Sequence, residues 1–409
     1  MDQPYSIETR SDLILALQEA AHIEHGLLLQ YLFAAFSLKQ SEAEGIAWDE
    51  VEQVNEWKRD ILRIARDEMG HLATVMNMLV AVGSVPSFDR PPFPRPSLPW
   101  FPVPFELTRF SEQTLARFIR FESPAPMVVT VALERVAPRQ PRYTYVGDFY
   151  RSIRRGFNTV SQNNPNLFLG AAGSQDQDAW KLRFAPRTIG SVRDAEAAID
   201  ALVEQGEGTP DGSDPLAHYA TFIRIQNEFA EMARKQPGFD PARNVVSNPV
   251  LRPSGIPSAG TTPIDESMPC FEVGAIQNSL YILLLQVMQI YYDPHPKEVA
   301  LRTNLQGLST QLMMAAIRPL GELLTTLPTN RAPDSPRSGA SFELWGNFSL
   351  PSTSPTRWIM LNERLDIALA AVAELTRSTP ELSGPLAQLL PPLNAIQTKL
   401  ASMRDQMNA

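Results

Sequence analysis

Two long helical patterns follow one another near the start of this chain, over residues 11–39 and 49–82, and each turns an acid toward its apolar side. In LILALQEAAHIEHGLLLQYLFAAFSLK, apolar or small residues at 13, 17, 20, 27, 28, 31 and 35 form one wide stripe. Glu24 lies in it, among Leu17, Ala20, Leu28 and Tyr31. In the second pattern Glu68 and His71 are three apart and share a face with Ile61, Ile64, Ala65, Leu72, Val75 and Leu79. Ser11-Asp12 is the expected start of the first helix; Gly83, with Pro86 beyond, stops the second. Helices of about 28 and 34 residues are roughly 40–50 Å long at 1.5 Å per residue. Paired rods of that length build helical bundles.

An unpaired carboxylate inside a bundle costs several kcal/mol unless a cation or a hydrogen-bond partner meets it. Glu-x-x-His is the spacing by which one bundle helix offers an oxygen and a nitrogen to a metal, and a glutamate from the preceding helix completes half of a two-metal site. Carboxylate and imidazole together suit iron or manganese. A second half-site is sought in LVEQGEG, residues 202–208, where Glu204 and Glu207 are three apart, in His218 of DPLAHYATF, and in Asp148 of TYVGDFYRSI. Each has a structural alternative. Glu68 and His71 could bridge two helices as an ion pair, and Glu24 could pair with Arg63 or Arg66. Glu204 and Glu207 could be exposed acids at a helix end. Asp148 could interact only with its helix dipole, and His218 could cap the start of a helix. His22 and His25 read as partners of ligands rather than ligands, and Tyr31 as a core residue within reach of the acids.

Beyond the long pair, eight prolines fall between Pro86 and Pro104, an extended connection expected to lie on the bundle. Helical patterns follow at about 111–121, 146–157, 192–205 and 214–235. Residues 236–270, rich in Pro, Ser and Gly, read as a connection. The last third, 271–409, is helical again, at about 271–292, 297–326, 355–376 and 386–403. MVVTVALERV at 127–136 is the best strand candidate. The expected division is therefore a bundle over 1–235, the connection, and a C-terminal helical region. A net charge of -9 without a basic block argues against nucleic acid. One cysteine, Cys270, excludes an internal disulfide framework. The apolar segments 27–36 and 280–292 fall short of the roughly 20 residues that span a bilayer. A cytoplasmic protein without a membrane partner is expected.

The phrases IEHGLLLQYLFAAFSL, IARDEMGHLATVMNMLVAVGSVP, VGDFY and AIDALVEQGEG, in this order, resemble the ferritin-like family named after iminophenyl-pyruvate dimer synthase. The resemblance covers residues 10–230 by motif and extends more loosely through SFELWGNFSLP to the C-terminal helices. It implies a place for Glu24, Glu68 and His71 on the first metal-binding helices, for Glu204 on the far side of the site and for His218 at the start of the next helix. Asp148 stands where the family has a glutamate in a phrase like GEFY, one methylene longer. The family's large enzymes dimerise an imine made from tryptophan, and this sequence is far shorter than theirs, which include a large additional region.

The expectation is an all-α, ferritin-like four-helix bundle with Pro-rich loops and an added C-terminal helical region. It would hold two non-haem iron ions, manganese being the alternative. Glu24, Glu68, His71 and Glu204 would carry the chemistry, with Asp148, Glu207 and His218 as further metal ligands. The function expected is an O2-dependent oxidation of a small, amino-acid-derived substrate in specialised metabolism, by a monomer or small homo-oligomer. The alternatives are a metal that only stabilises the bundle or an interaction module, and an iron-oxidising storage protein.

Overall fold

In the computed structural model, residues 7–96, 103–124, 145–177, 180–207, 214–252, 259–293, 299–345, 349–351 and 354–408 are described. The strand candidate at 127–136 lies outside them. The chain divides into two compact units, residues 1–106 with 110–242, and residues 107–109 with 243–409.

The first unit is built from α1 (Arg10–Ser37), α2 (Trp48–Ala81), α3 (Glu112–Glu122), α4 (Val146–Asn163), α5 (Val192–Glu207) and α6 (His218–Lys235). The cap of α1 is Thr9, two residues before the expected one. Its hydroxyl accepts from Asp12 N at 3.1 Å while Asp12 accepts from Thr9 N at 2.9 Å, a reciprocal box that satisfies two otherwise orphaned donors. At the end of α2, Gly83 adopts φ +80, open to glycine without a Cβ penalty, and Ser84 N returns to Leu79 O at 2.9 Å. Arg10 then ties the two helix ends to the segment that follows α4, donating to Val82 O at 2.6 Å and Leu167 O at 2.9 Å.

α1 is buried nearly all round, because α2 covers one side and α4 another. Its lack of a polar face thus reflects a central position. α3 packs on α6, and α4 on α5. Asn77 of α2 pins the segment before α5, accepting from Asp176 N at 2.7 Å and donating to Arg187 O at 2.9 Å. α4 continues beyond 157, as expected of a bundle helix, and ends at Asn163, since Val160 continues the buried stripe of Ile153 and Phe157.

The second unit contains α7 (Pro269–Tyr291), α8 (Val299–Leu312), α9 (Arg318–Leu324), α10 (Ser354–Ser378), α11 (Ser383–Ala387) and α12 (Leu390–Asn408). A short parallel pair, β1 (Pro249–Val250) with β2 (Thr262–Pro263), belongs to it, so residues 243–270 are part of this unit. α10 packs on α7 and α12. α8 and α9 are joined by a π-helical turn, Met313–Ile317, where one continuous helix was expected; Pro319 cannot donate to the regular ladder. α7 is long and apolar enough to cross a membrane by length and composition, and 78% of that window is buried inside the protein.

Candidate metal centre

All the groups of the centre come from the first unit. Glu24 from the middle of α1, and Glu68 and His71 from the middle of α2, are at most 2% exposed. One ligand atom from each lies within 4.8 Å of the others. His71 Nδ1 is 3.0 Å from Glu68 Oε2 and 3.4 Å from Glu24 Oε2. A second group, Glu68, Glu122 and His218, meets the same criterion and is equally buried. His218 Nδ1 is 2.9 Å from Glu68 Oε1 and 3.6 Å from Glu122 Oε1. Glu68 belongs to both groups, so one carboxylate can serve two cations.

The groups behind the cluster orient it. His71 Nε2 is 2.8 Å from Gln205 Oε1, an acceptor for a proton on Nε2, so that Nδ1 is the nitrogen that would face a cation. His218 Nε2 is 3.5 Å from Asp67, itself buried and paired with Arg63 at 3.5 Å. Partners of this kind on the far nitrogen are what metal-bound histidines carry. Two buried phenols complete the set. Tyr150 of α4 donates to Glu24, and Tyr31 of α1 donates to Glu122.

The electrostatics show how the buried charges balance one another. Burial and the charge of Glu68 push the Glu24 carboxyl up to about 8. His71 rises to about 10: burial opposes its charge, but Glu68 and Glu24 outweigh it. Burial likewise works against Glu68, yet His71 and His218 hold it well below the usual carboxylate range. Burial pushes the Tyr31 and Tyr150 hydroxyls far up, reinforced by Glu122 and Glu24 respectively. Protons therefore stand in for positive charge, and they do so incompletely. Glu24 Oε2, Glu68 Oε1 and both His218 ring nitrogens are buried with charged neighbours at 2.9–3.5 Å but without a well-aligned hydrogen bond. Hard oxygen donors with imidazole nitrogens, left unsatisfied in a dry interior, fit a pair of divalent ions of the iron or manganese kind.

The remaining expected ligands are placed elsewhere. Asp148 is 46% exposed and binds Arg151 at 2.9 Å, three residues on. Tyr150, two residues on and so about 200° round α4, is the residue that helix sends to the cluster. Glu204 is exposed, and its neighbour Gln205 faces His71. The carboxylate that occupies the expected fourth position is Glu122, the last residue of α3. Its signal was present, since Leu115, Phe118, Ile119 and Glu122 continue one helical stripe; it was hidden by its place at a helix end before Pro124. Glu207 is intermediate. It lines the small cavity beside the cluster and is 12% exposed, with Oε2 held by Arg151 at 3.3 Å. Burial pushes its carboxyl up to about 7, against the pull of Arg151. Glu207 Oε1 has no partner. It also explains Gly147, because a Cβ there would fall 1.7 Å from that oxygen.

The cavity has a volume of about 30 Å³, room for a water or two rather than an organic molecule. Its polar wall is Glu24, Glu68, His71 and Glu122; its other wall is mainly Leu27, Phe121, Leu202 and Val203, with Gly147 and Gly206.

The family match agrees with this architecture. A family model described as Ferritin-like matches residues 17–227, just over half of the chain. Dichlorochromopyrrolate synthase of Lentzea aerocolonigenes is 28% identical over 396 residues, covering 83% of this chain and 36% of that protein. The 2-imino-3-(indol-3-yl)propanoate dimerase of Chromobacterium violaceum is 28% identical over 365 residues, covering 80% of this chain and 34% of that protein. The chain thus spans about a third of the length of these relatives. A ferritin-like protein from Caulobacter vibrioides is similar in structure at TM-score 0.45 and 18% identity, over 72% of this chain and 92% of that one. The matched helices are those that carry Glu24, Glu68, His71 and Glu122, and the chain belongs to the ferritin-like family.

Proposed function

We propose that this protein is a non-haem di-iron oxidase or oxygenase that uses O2 on a small, amino-acid-derived substrate in natural-product biosynthesis. The observation that carries the reading is the pair of buried three-residue groups that share Glu68. The relatives' names, a synthase and a dimerase of an indole-bearing imino acid, support an enzyme of specialised metabolism.

Glu24 and Glu122 would each hold one cation, Glu68 both, and His71 and His218 would supply one nitrogen each through Nδ1. A ferrous pair bound there supplies electrons to O2. The chain does the rest. Gln205 and Asp67 fix the imidazole tautomers. Tyr150 and Tyr31 hold protons on the outer carboxylates, ready for transfer as charge at the site changes. Leu27, Phe121 and Leu202 keep bulk water from the cavity. A cavity of about 30 Å³ means that the organic substrate reacts at its mouth or that the wall at Gly147 and Gly206 opens. Asp148 and Glu204 have no part in holding the metals in this reading.

Metal analysis of protein grown in iron-rich medium tests it. About two irons per chain are expected, with a near-ultraviolet band growing when the ferrous form meets air. Stoichiometric zinc with no O2 uptake would contradict it and favour a metal that only stabilises the bundle. Native mass separates the storage alternative, which requires a very large particle.

A further inference from the structure

His218 opens α6, and the first turn of a helix frays unless something fixes it. This end of α6 has no device of its own. Its cap, Ala217, offers no side-chain oxygen, and its first turn holds no acid. Yet His218 is fully buried, with Nδ1 2.9 Å from Glu68 Oε1. Arg63 of α2 supplies what is missing. The sequence offers Arg63 as a partner for Glu24; the structure turns it to α6 instead. Its Nη2 donates to Thr221 Oγ1 at 2.9 Å and its Nη1 to Leu216 O at 3.2 Å. These two residues bracket His218 on the chain, one on each side. The contact to Asp67, one turn further along α2, is longer at 3.5 Å, and that to Asp60 longer still at 3.8 Å. An arginine serving only as half of an i,i+4 ion pair on α2 would show the reverse order.

Resting on the two-metal reading above, we propose that Arg63 is a positioning residue for the His218 half of the centre: it locks the first turn of α6 onto α2 and so sets where His218 stands relative to Glu68 and Glu122. Within two turns, α2 then acts on His218 three times. Glu68 faces its Nδ1, Asp67 faces its Nε2 at 3.5 Å, and Arg63 holds the backbone that carries the ring. A guanidinium suits this task, because two nitrogens fixed in one plane serve two separate acceptors. A lysine ammonium on its flexible stem would hold one point only. Arg63 belongs to neither metal-binding group. Its loss therefore frees the ring of His218 and spares His71, which the turns of α2 hold on both sides.

Titration of the full chain with Co(II), whose visible absorption reports its ligands, tests this in two backgrounds that each keep one half. In Glu24→Gln, which keeps Glu122 and His218, adding Arg63→Met should weaken cobalt binding about tenfold and alter its spectrum. In Glu122→Gln, which keeps Glu24 and His71, the same addition should leave affinity and spectrum unchanged. Arg63→Lys, with charge but a single point of attachment, should restore part of the loss. Thr221→Val leaves the Arg63–Asp67 pair in place and removes only a bond to α6. It should weaken cobalt several-fold in the Glu24→Gln background alone, and add little to Arg63→Met. Equal loosening of both halves would make Arg63 a general support of the fold. Unchanged binding in the Glu24→Gln background would show that His218 is placed without it. Either result overturns the proposal and leaves the two-metal reading standing. Failure of the wild-type chain to bind cobalt would overturn both.

Discussion

The two halves of the centre are built differently. Glu24, Glu68 and His71 project from the middle of the two longest helices of the first unit, with buried apolar neighbours on both sides along the chain. Glu122 and His218 stand at helix ends, the last residue of α3 and the first of α6. The first half borders the cavity; His218 does not line it and is backed by Asp67. Mid-helix groups are held rigidly by the turns on either side of them. End groups depend on the packing of α3 against α6 and on the partners that orient them. The lesson is that one half is a property of two helices and the other a property of the assembled unit.

The shared residue offers the largest test of that contrast. Glu68→Ala should abolish metal binding in both halves, from about two ions per chain to nearly none. Glu68→Gln, which leaves no cavity, should do the same, measured by metal analysis after dialysis. Retention of one ion by Glu68→Gln would show that the halves are independent.

Next in size are the outer carboxylates. Glu24→Gln and Glu122→Gln should each leave about one ion per chain, in different halves. The end group should be the looser: in wild type, Glu122 and His218 should release their ion first to a chelator. Equal release would remove the distinction between a helix-built and an assembly-built half.

The third test is pH. In the metal-free fold Glu24 titrates at about 8 against a reference of 4.5, and His71 at about 10 against 6.5. Both therefore bind protons in the native state that the unfolded chain releases. Stability falls as pH rises from 4.5 to 8 through Glu24 and from 6.5 to 10 through His71. His218, raised also, adds to the same slope, while the depressed Glu68 contributes a stability that is constant above its reference value of 4.5. Bound cations would replace those protons. Between about pH 6 and 9 the melting temperature of the metal-free protein should fall, and the gap to the metal-loaded protein should widen. A gap that narrows with pH would contradict the account.

How much of this was legible in the sequence follows from the same contrast. A carboxylate flanked by Leu17, Ala20, Leu28 and Tyr31 declares itself, because the period on both sides fixes the direction in which it points. The all-α bundle was legible for that reason, as was the family. Glu122 had period on one side only, with Ser123 and Pro124 on the other, and so passed for a helix-end acid. Asp148 and Glu204 were sought because the site needed an acid. The helices they lie on do approach the cluster, but through Tyr150, two positions after Asp148, and Gln205, one position after Glu204. Steps of one and two residues turn a side chain by about 100° and about 200° on a helix, which is the difference between reaching a site and facing water. Gln205 and Asp67 act through histidine nitrogens, and no local pattern marks such a partner.

The phenols give a smaller effect. Tyr150→Phe and Tyr31→Phe each remove one hydrogen bond to an outer carboxylate, about 1 kcal/mol, and should loosen the metal of the corresponding half several-fold without emptying it. The smallest effect is expected of Asp148→Asn and Glu204→Gln, which should leave metal content unchanged. A lost ion in either would bring that residue back into the site.

Anomalous scattering at the iron edge, from crystals of the iron-loaded protein, tests the central claim most directly. The account predicts two iron peaks on either side of the Glu68 carboxylate, one beside Glu24 and His71 and the other beside Glu122 and His218. A single peak, or iron bound at Asp148 or Glu204 with the buried cluster empty, would contradict it.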